Sequence, residues 1–327
     1  MHSMKNVNPI SPDSPGSPEN SEKGCSVEKP NHIQSLFRSW VLSTRPQTLI
    51  ASISPVMIGS MIAWLYHPLS YWVLVLTFLF SLCLQIGTNW VNDYFDFIKG
   101  ADTLARKGPH RAILSGQISP IAMRNAAFAI FFLAVCISIP LLARIGIAYT
   151  PLMLLCIFCA IFYTGGKYAL GYLGLGDLLV LIFYGPIATC GTVIAQLSYI
   201  PFDAWIVSLI PGSLSCAILS INNLRDITED CKAQKKTLVV RFGPTFGRIE
   251  YCLCISTGII IPIILVLRGW PSMICFSWLG LMMAKEPLKI IFRHCENFNR
   301  ALAITTKMIA IYTIMFCAAI YGIHANL

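Results

Sequence analysis

Apolar residues in this chain come in long unbroken runs, not in the alternation of strands or the single stripe of a soluble helix. Nine runs are long enough to cross a bilayer, which takes roughly 20 residues per helix. They cover about residues 47–66, 70–91, 120–143, 147–165, 175–197, 203–222, 249–267, 270–288 and 301–322. Backbone groups inside lipid must be paired within the segment, so these runs predict helices, and their continuity excludes a β-barrel. The expected fold is an all-α polytopic membrane protein of about nine transmembrane helices, a single domain over 35–323.

The flanks read differently. Residues 1–34 are rich in Ser, Pro, Asn and Glu, too polar to bury a core, and predict a disordered cytoplasmic tail. They hold no apolar segment of the signal-peptide kind. Residues 35–46 mix Phe37, Trp40, Val41 and Leu42 with Arg38 and Arg45, the composition of an interfacial helix leading into the first span.

Composition agrees with the pattern. The 327 residues are 56% hydrophobic and 12% charged, too apolar for a soluble domain of this length. Of 24 Lys and Arg, 22 fall in the tail and alternate loops, while the opposite loops carry Arg144 and Arg268. That asymmetry places the N-terminus in the cytoplasm and the C-terminus outside, in the cell (inner) membrane. The net charge of +9 is mostly this bias, and no nucleic-acid-binding pattern accompanies it. The thirteen Cys lie mostly within apolar runs and imply packing, not a disulfide framework.

Against this background two polar segments stand out. The first is Asn89-Trp90-Val91-Asn92-Asp93-Tyr94-Phe95-Asp96, with Asp102 beyond it. The second is Asn222-Asn223-Leu224-Arg225-Asp226-Ile227-Thr228-Glu229-Asp230. Beyond the tail the chain has eleven acidic residues, and six lie here. Asn89 and Asn222 are 133 residues apart, as are Asp93 and Asp226. Four spans separate the segments, so both emerge on one side, as in two pseudo-repeated four-helix halves plus a ninth helix. On a helix, Asn89, Asn92, Asp93 and Asp96 share a face, as do Asn222, Asp226 and Asp230. Carboxylates at a bilayer surface need a partner, and clustered carboxylate and amide oxygens suit Mg²⁺. Asn92, Asp93, Asp96, Asp102, Asp226 and Asp230 are the candidate ligands.

Cations follow each acidic segment: Lys99, Arg106, Lys107, His110 and Arg111 after the first, and Lys232, Lys235, Lys236 and Arg241 after the second. Lys and Arg clamps stabilise a departing diphosphate. Lys107, Arg111, Lys236 and Arg241 are the preferred candidates. Arg45, Asn89, Tyr163 and Lys167 complete the expected substrate-binding set.

Taken together, the residues match a known family. Arg45-Pro46-Gln47-Thr48-Leu49, Asn92-Asp93-Tyr94-Phe95-Asp96-Phe97-Ile98-Lys99-Gly100-Ala101-Asp102, Gly108-Pro109-His110-Arg111-Ala112, Gly174-Leu175-Gly176-Asp177 and Asn222-Asn223-Leu224-Arg225-Asp226 through Asp230 carry the match. With Ser115-Gly116, Lys236-Thr237-Leu238 and Gly243, the chain resembles the UbiA superfamily of intramembrane aromatic prenyltransferases. It is most similar to the menaquinone-pathway branch that uses 1,4-dihydroxy-2-naphthoate. Asp102 follows Asp96 by six residues, a spacing similar to that branch. Position 177 departs, being Asp where that branch often has Glu.

The resemblance implies an enzyme that transfers a polyprenyl group from a polyprenyl diphosphate to a naphthoate. Decarboxylation would follow, with Mg²⁺ held by the acidic segments. Asp96, Asp230, Lys107 and Arg111 would be catalytic. Tyr94, Tyr163 and Tyr184 are candidates for stabilising an allylic cation. Two other readings stay open at this point: the same chemistry on another aromatic acceptor, such as another naphthoate or 4-hydroxybenzoate, and a cation-coupled transporter built from repeats.

Overall fold

The computed structural model describes residues 32–101, 108, 111–293 and 297–325. Helix α1 (His32–Ser43) lies ahead of a 3-10 turn at Pro46–Thr48 and α2 (Ile50–Trp64). Between Ser35–Thr48 and Ile50–Trp64 the chain bends by 54°. Arg45 makes that bend in a left-handed conformation, φ 54° and ψ 66°. Proline at 46 fixes the next residue and restricts Arg45 to non-helical backbone. On α1, Phe37 and Leu42 are exposed, as an interfacial helix requires.

Two long spans follow, α3 (Tyr71–Ile98) and α4 (Pro120–Ile145), packed along each other. Ser119 caps α4, its Oγ accepting from the Ala122 amide at 3.2 Å, with Pro120 in the first turn; both are start signals. Then come α5 (Thr150–Phe162), α6 (Gly176–Ile182) and α7 (Ala188–Leu197), the last two joined through a π-helical break at Phe183–Ile187. Helix α8 (Phe202–Arg225) is the most buried span, 78% of its apolar window being covered against 22% for α3. Its Gly212, Ser213, Ser215, Ala217 and Ser220 allow close approach of neighbours.

The second acidic segment leaves α8 through the short α9 (Ile227–Lys232) and α10 (Leu238–Phe242) into α11 (Pro244–Leu267). A 3-10 stretch, Ser272–Ser277, leads to α12 (Trp278–Leu281) and α13 (Lys285–Phe292), and α14 (Phe298–Ala325) closes the described chain. Among the described residues all regular structure is helical.

Among the described residues six helices are long and apolar enough to span a membrane, and they correspond to six of the nine expected runs. The other three take different forms. The first is the second arm of the 54° bend, Ile50–Trp64, the fourth is the short helix Ile147–Phe162, and the eighth is broken into 3-10 and α pieces. A 3-10 turn rises about 2.0 Å per residue against 1.5 Å for an α-helix, so a segmented stretch covers more depth per residue. Gly280 lies so close to α14 that a Cβ there would stand 2.5 Å from the Tyr312 amide nitrogen. Packing against α14 therefore sets the shape of this stretch, which the apolar pattern alone does not register.

Candidate active site

The C-terminal end of α3 carries Asn89, Asn92, Asp93 and Asp96 on one face, and the end of α8 carries Asp226, with Asp230 on α9. Asp93, Asp96, Asp226 and Asp230 are all buried. The two segments meet through one lysine: Lys235 Nζ lies 3.4 Å from Asp96 Oδ1 and 3.7 Å from Asp230 Oδ1. The two acidic segments, distant in sequence, therefore do emerge on the same side.

Each acid has a distinct set of partners. Arg45 Nη2 lies 2.6 Å from Asp93 Oδ1, and Arg111 Nη1 pairs with the same oxygen. Arg111 Nη2 reaches Asp96 Oδ2 at 3.3 Å, and the Tyr172 hydroxyl donates to Asp96 Oδ1 at 3.0 Å. Asp226 forms a two-pronged pair with its neighbour Arg225, from Nε and Nη2, both at 2.7 Å. Arg225 Nη1 also donates to Asn299 on α14 at 3.0 Å, tying the second segment to the last helix. Burial, reinforced by Arg45, pulls the Arg111 guanidinium below its usual range. A guanidinium keeps its proton in proteins, and the carboxylates of Asp93 and Asp96 pair with it in the buried site.

Tyr172 is the centre of a cationic group. Its ring centroid is 4.3 Å from Lys99 Nζ and 4.8 Å from Lys235 Nζ, within cation–π range. Lys99 also donates to the Thr164 carbonyl at 2.5 Å, and the Thr164 hydroxyl donates to Asn92 Oδ1. Partial burial lowers the Lys99 ammonium from its ordinary pKa, with Asp96 opposing and Lys235 adding to the shift.

Other expected site residues serve the scaffold in this structure. Asn89 Nδ2 donates to the Thr44 carbonyl at 2.9 Å, holding the approach to the 54° bend. Lys236 is exposed, and its backbone amide donates to the Tyr172 carbonyl at 2.9 Å. Arg241 Nη2 donates to the Leu173 carbonyl at 2.6 Å. At Gly174 between them, φ is +80° and a Cβ would lie 2.3 Å from the Lys236 carbonyl oxygen, so glycine is needed there. Lys167 is exposed beside the Tyr168 ring, 5.6 Å from its centroid, and is not gathered to the acids. Asp102 and Lys107 lie outside the described residues. Tyr172 and Thr164 are neighbours that the acidic motifs did not announce, and Arg225, which lies within the second motif, had no role assigned to it. Arg225 alone carried a signal, a charge at the end of an apolar run beside an acid.

Beneath this cluster is a cavity of about 680 Å³. Asn89, Asn92 and Tyr163 line its upper end, and Ile145, Tyr149 and Trp205 its far end, with Phe80, Leu84 and Phe183 between. Such a chamber, polar at one membrane face and apolar along its length, fits a substrate with an anionic head and a long apolar tail. The molecule thus has the form of an intramembrane enzyme for an amphiphilic anion.

Comparison with known proteins specifies the family. The chain belongs to the UbiA prenyltransferase family, whose model matches residues 52–294, and it is a prenyltransferase. It is 36% identical over 235 residues to the 1,4-dihydroxy-2-naphthoate octaprenyltransferase of Haemophilus influenzae, covering 69% of this chain and 76% of that one. The Mycobacterium tuberculosis protein of the same name is 34% identical over 242 residues, covering 72% and 80%. Among solved structures, a UbiA homolog from Archaeoglobus fulgidus bound to GPP and Mg²⁺ superposes with a TM-score of 0.57 at 14% identity, covering 88% of this chain and 99% of that one.

Proposed function

We propose that this protein transfers a polyprenyl group from a polyprenyl diphosphate to 1,4-dihydroxy-2-naphthoate, with loss of the ring carboxylate as CO₂ and with Mg²⁺ as cofactor, in menaquinone biosynthesis. The observation that carries this reading is the meeting of the two acidic segments, bridged by Lys235, above one apolar cavity. The relatives named as naphthoate octaprenyltransferases support the acceptor. The neighbour bound to GPP and Mg²⁺ supports the diphosphate and the metal.

Among the described residues no three acids stand close enough to ring a metal ion by themselves, so the donor chemistry fits an Mg²⁺ that shares its shell with diphosphate oxygens and water. Lys235 Nζ already places one positive charge between Asp96 and Asp230, and hard carboxylate and amide oxygens suit Mg²⁺. Asn92, Asp96, Asp226 and Asp230 would hold it, with Asp102 beyond, while Asp93 positions Arg45 and Arg111. When bound, the metal supplies charge that stabilises the diphosphate leaving group. Lys99, Lys235 and Arg111 add to that stabilisation from the protein side. The allylic C–O bond breaks, and its electron pair leaves with the diphosphate. The apolar walls keep water from the allylic cation, and the rings of Tyr163 and Tyr184, both on the cavity wall, offer it aromatic faces. A ring carbon of the acceptor forms the new C–C bond, and the carboxylate departs as CO₂, returning its bonding pair to the ring. The site faces the cytoplasm in this reading.

The test is product formation by purified, detergent-solubilised protein given a polyprenyl diphosphate, Mg²⁺ and a panel of aromatic acceptors. A prenylated, decarboxylated naphthoquinol that disappears with EDTA is the expected result. Product from 4-hydroxybenzoate or another naphthoate alone would move the acceptor while keeping the chemistry.

A further inference from the structure

The cavity wall on α3 is not uniformly apolar. Thr77, Ser81, Gln85, Thr88 and Asn92 line it at helical spacing, a polar stripe descending from the acidic cluster into the membrane. The hydroxyls are engaged by backbone: Thr77 donates to the Val73 carbonyl at 2.7 Å, Ser81 to Ser52 at 3.0 Å and Thr88 to Leu84 at 2.7 Å. Gln85 differs. It is 7% exposed, and its Oε1 accepts from the Tyr184 hydroxyl. Among the described residues nothing accepts from its Nε2, which is open to the cavity that Gln85 lines.

The fold goes to some length to build this pair. Tyr184 is delivered by the break at Phe183–Ile187, where Gly185 departs from helical geometry (φ −90°, ψ −107°) ahead of Pro186. Gly185 packs against α8, where a Cβ would lie 3.0 Å from the Ser208 carbonyl oxygen. An amide donor left without a protein acceptor on a cavity wall is available to a ligand's oxygen. Polar groups facing a cavity within a membrane mark places where a ligand supplies the partner.

The ligand can be named by elimination among the substrate groups. An isoprenoid tail has no oxygen to accept from Gln85. The diphosphate belongs with the acids and cations, and Gln85 lies seven residues below Asn92, about 10 Å along the helix. That leaves the aromatic acceptor. Its carboxylate, on C2, is drawn to the cationic mouth at Arg45, Lys99 and Lys235, and the 4-hydroxyl, meta to it on the same ring, turns down the cavity wall toward Gln85. We propose that Gln85, oriented by Tyr184, binds the acceptor's 4-hydroxyl oxygen and sets the angle at which the ring meets the allylic carbon. The inference rests on the naphthoate reading above.

The experiment compares wild type, Gln85→Met and Tyr184→Phe in steady-state prenyl transfer, using 1,4-dihydroxy-2-naphthoate and its analogue lacking the 4-hydroxyl. Gln85→Met keeps the side chain's length and removes the donor. The expected result is an acceptor KM raised about tenfold or more in Gln85→Met, with the KM for the polyprenyl diphosphate unchanged. Tyr184→Phe, which frees the amide to rotate, should give a smaller rise in the same direction. On the analogue, wild type and Gln85→Met should be equal. An unchanged acceptor KM, equal rises in both KM values, or a loss that persists on the analogue overturns the assignment while leaving the functional reading intact. Absence of any naphthoate product from wild type overturns the functional reading, and the assignment with it.

Discussion

The two acidic segments look alike in sequence and differ in structure. The first stays within one continuous helix, α3, through Ile98. The second crosses a break: Asp226 ends α8 and Asp230 sits on the separate α9. Their partners differ as well. Asp93 and Asp96 are held by cations from outside their own helix, Arg45, Arg111 and Lys235. Asp226 is held by the residue beside it, Arg225. The first segment is thus a rigid post onto which other elements are tied. The second is a hinge-like corner braced locally and to α14. A pseudo-repeat conserves the kind of oxygen offered to a ligand without conserving how that oxygen is held.

The sharpest test of this comparison replaces the two acids that meet at Lys235. Asp96→Asn and Asp230→Asn should each lower kcat by about 10²–10³-fold while the protein stays folded, a loss of the size seen when charge stabilisation is removed. A steady-state assay across Mg²⁺ concentrations reads it. Wild-type turnover in either variant would break the equivalence of the two segments at the site.

Next in size is the cost of untying the post. Arg111→Met leaves Asp93 and Asp96 buried with one cation fewer, and removing one member of a buried ion pair costs about 3–5 kcal/mol. Thermal unfolding in detergent should show this loss. Asn299→Ala, which removes the acceptor that ties Arg225 to α14, should cost about 1–3 kcal/mol. Equal losses would erase the contrast between the two ways of bracing.

A smaller effect belongs to Tyr172. Tyr172→Phe keeps the ring between Lys99 and Lys235 but removes the hydroxyl that donates to Asp96. The expected result is a fall of about tenfold in kcat/KM for the diphosphate substrate, the worth of one hydrogen bond to a charged group. The smallest effect is on pH dependence. Lys99 has a lowered pKa in the fold, burial being the main cause. Below its folded pKa both states carry the proton and the burial cost is fully present. Between that value and the ordinary 10.5 the unfolded chain binds more protons, so stability rises with pH there. Lys99→Gln should flatten that part of a denaturation-versus-pH profile.

Much of the molecule was legible beforehand, for definite reasons. Six continuous spans and the interfacial helix before them follow from apolar runs and local backbone chemistry. So does the choice of acids, because carboxylates at apolar helix ends are rare and conspicuous. Lys167, Lys236 and Arg241 are harder to place from sequence. A cation near an acid in the chain can face solvent, as Lys167 does, or fasten a loop, as Arg241 does. Tyr172 carried no warning, since a tyrosine in a glycine-rich loop has many possible uses.

The sequence by itself determined that this chain is helical, crosses a membrane and concentrates acids and amides at two corresponding helix ends. Lipid forces each span to satisfy its own backbone, and that requirement acts within one segment at a time. Only the tertiary structure decided which acid meets which cation, that Lys235 joins the two segments, and that the eighth run breaks into pieces against α14. It also set Gln85 against Tyr184 across 99 residues of chain. Those outcomes depend on which helix faces are brought together, and packing between distant segments leaves no period in the sequence from which to read them.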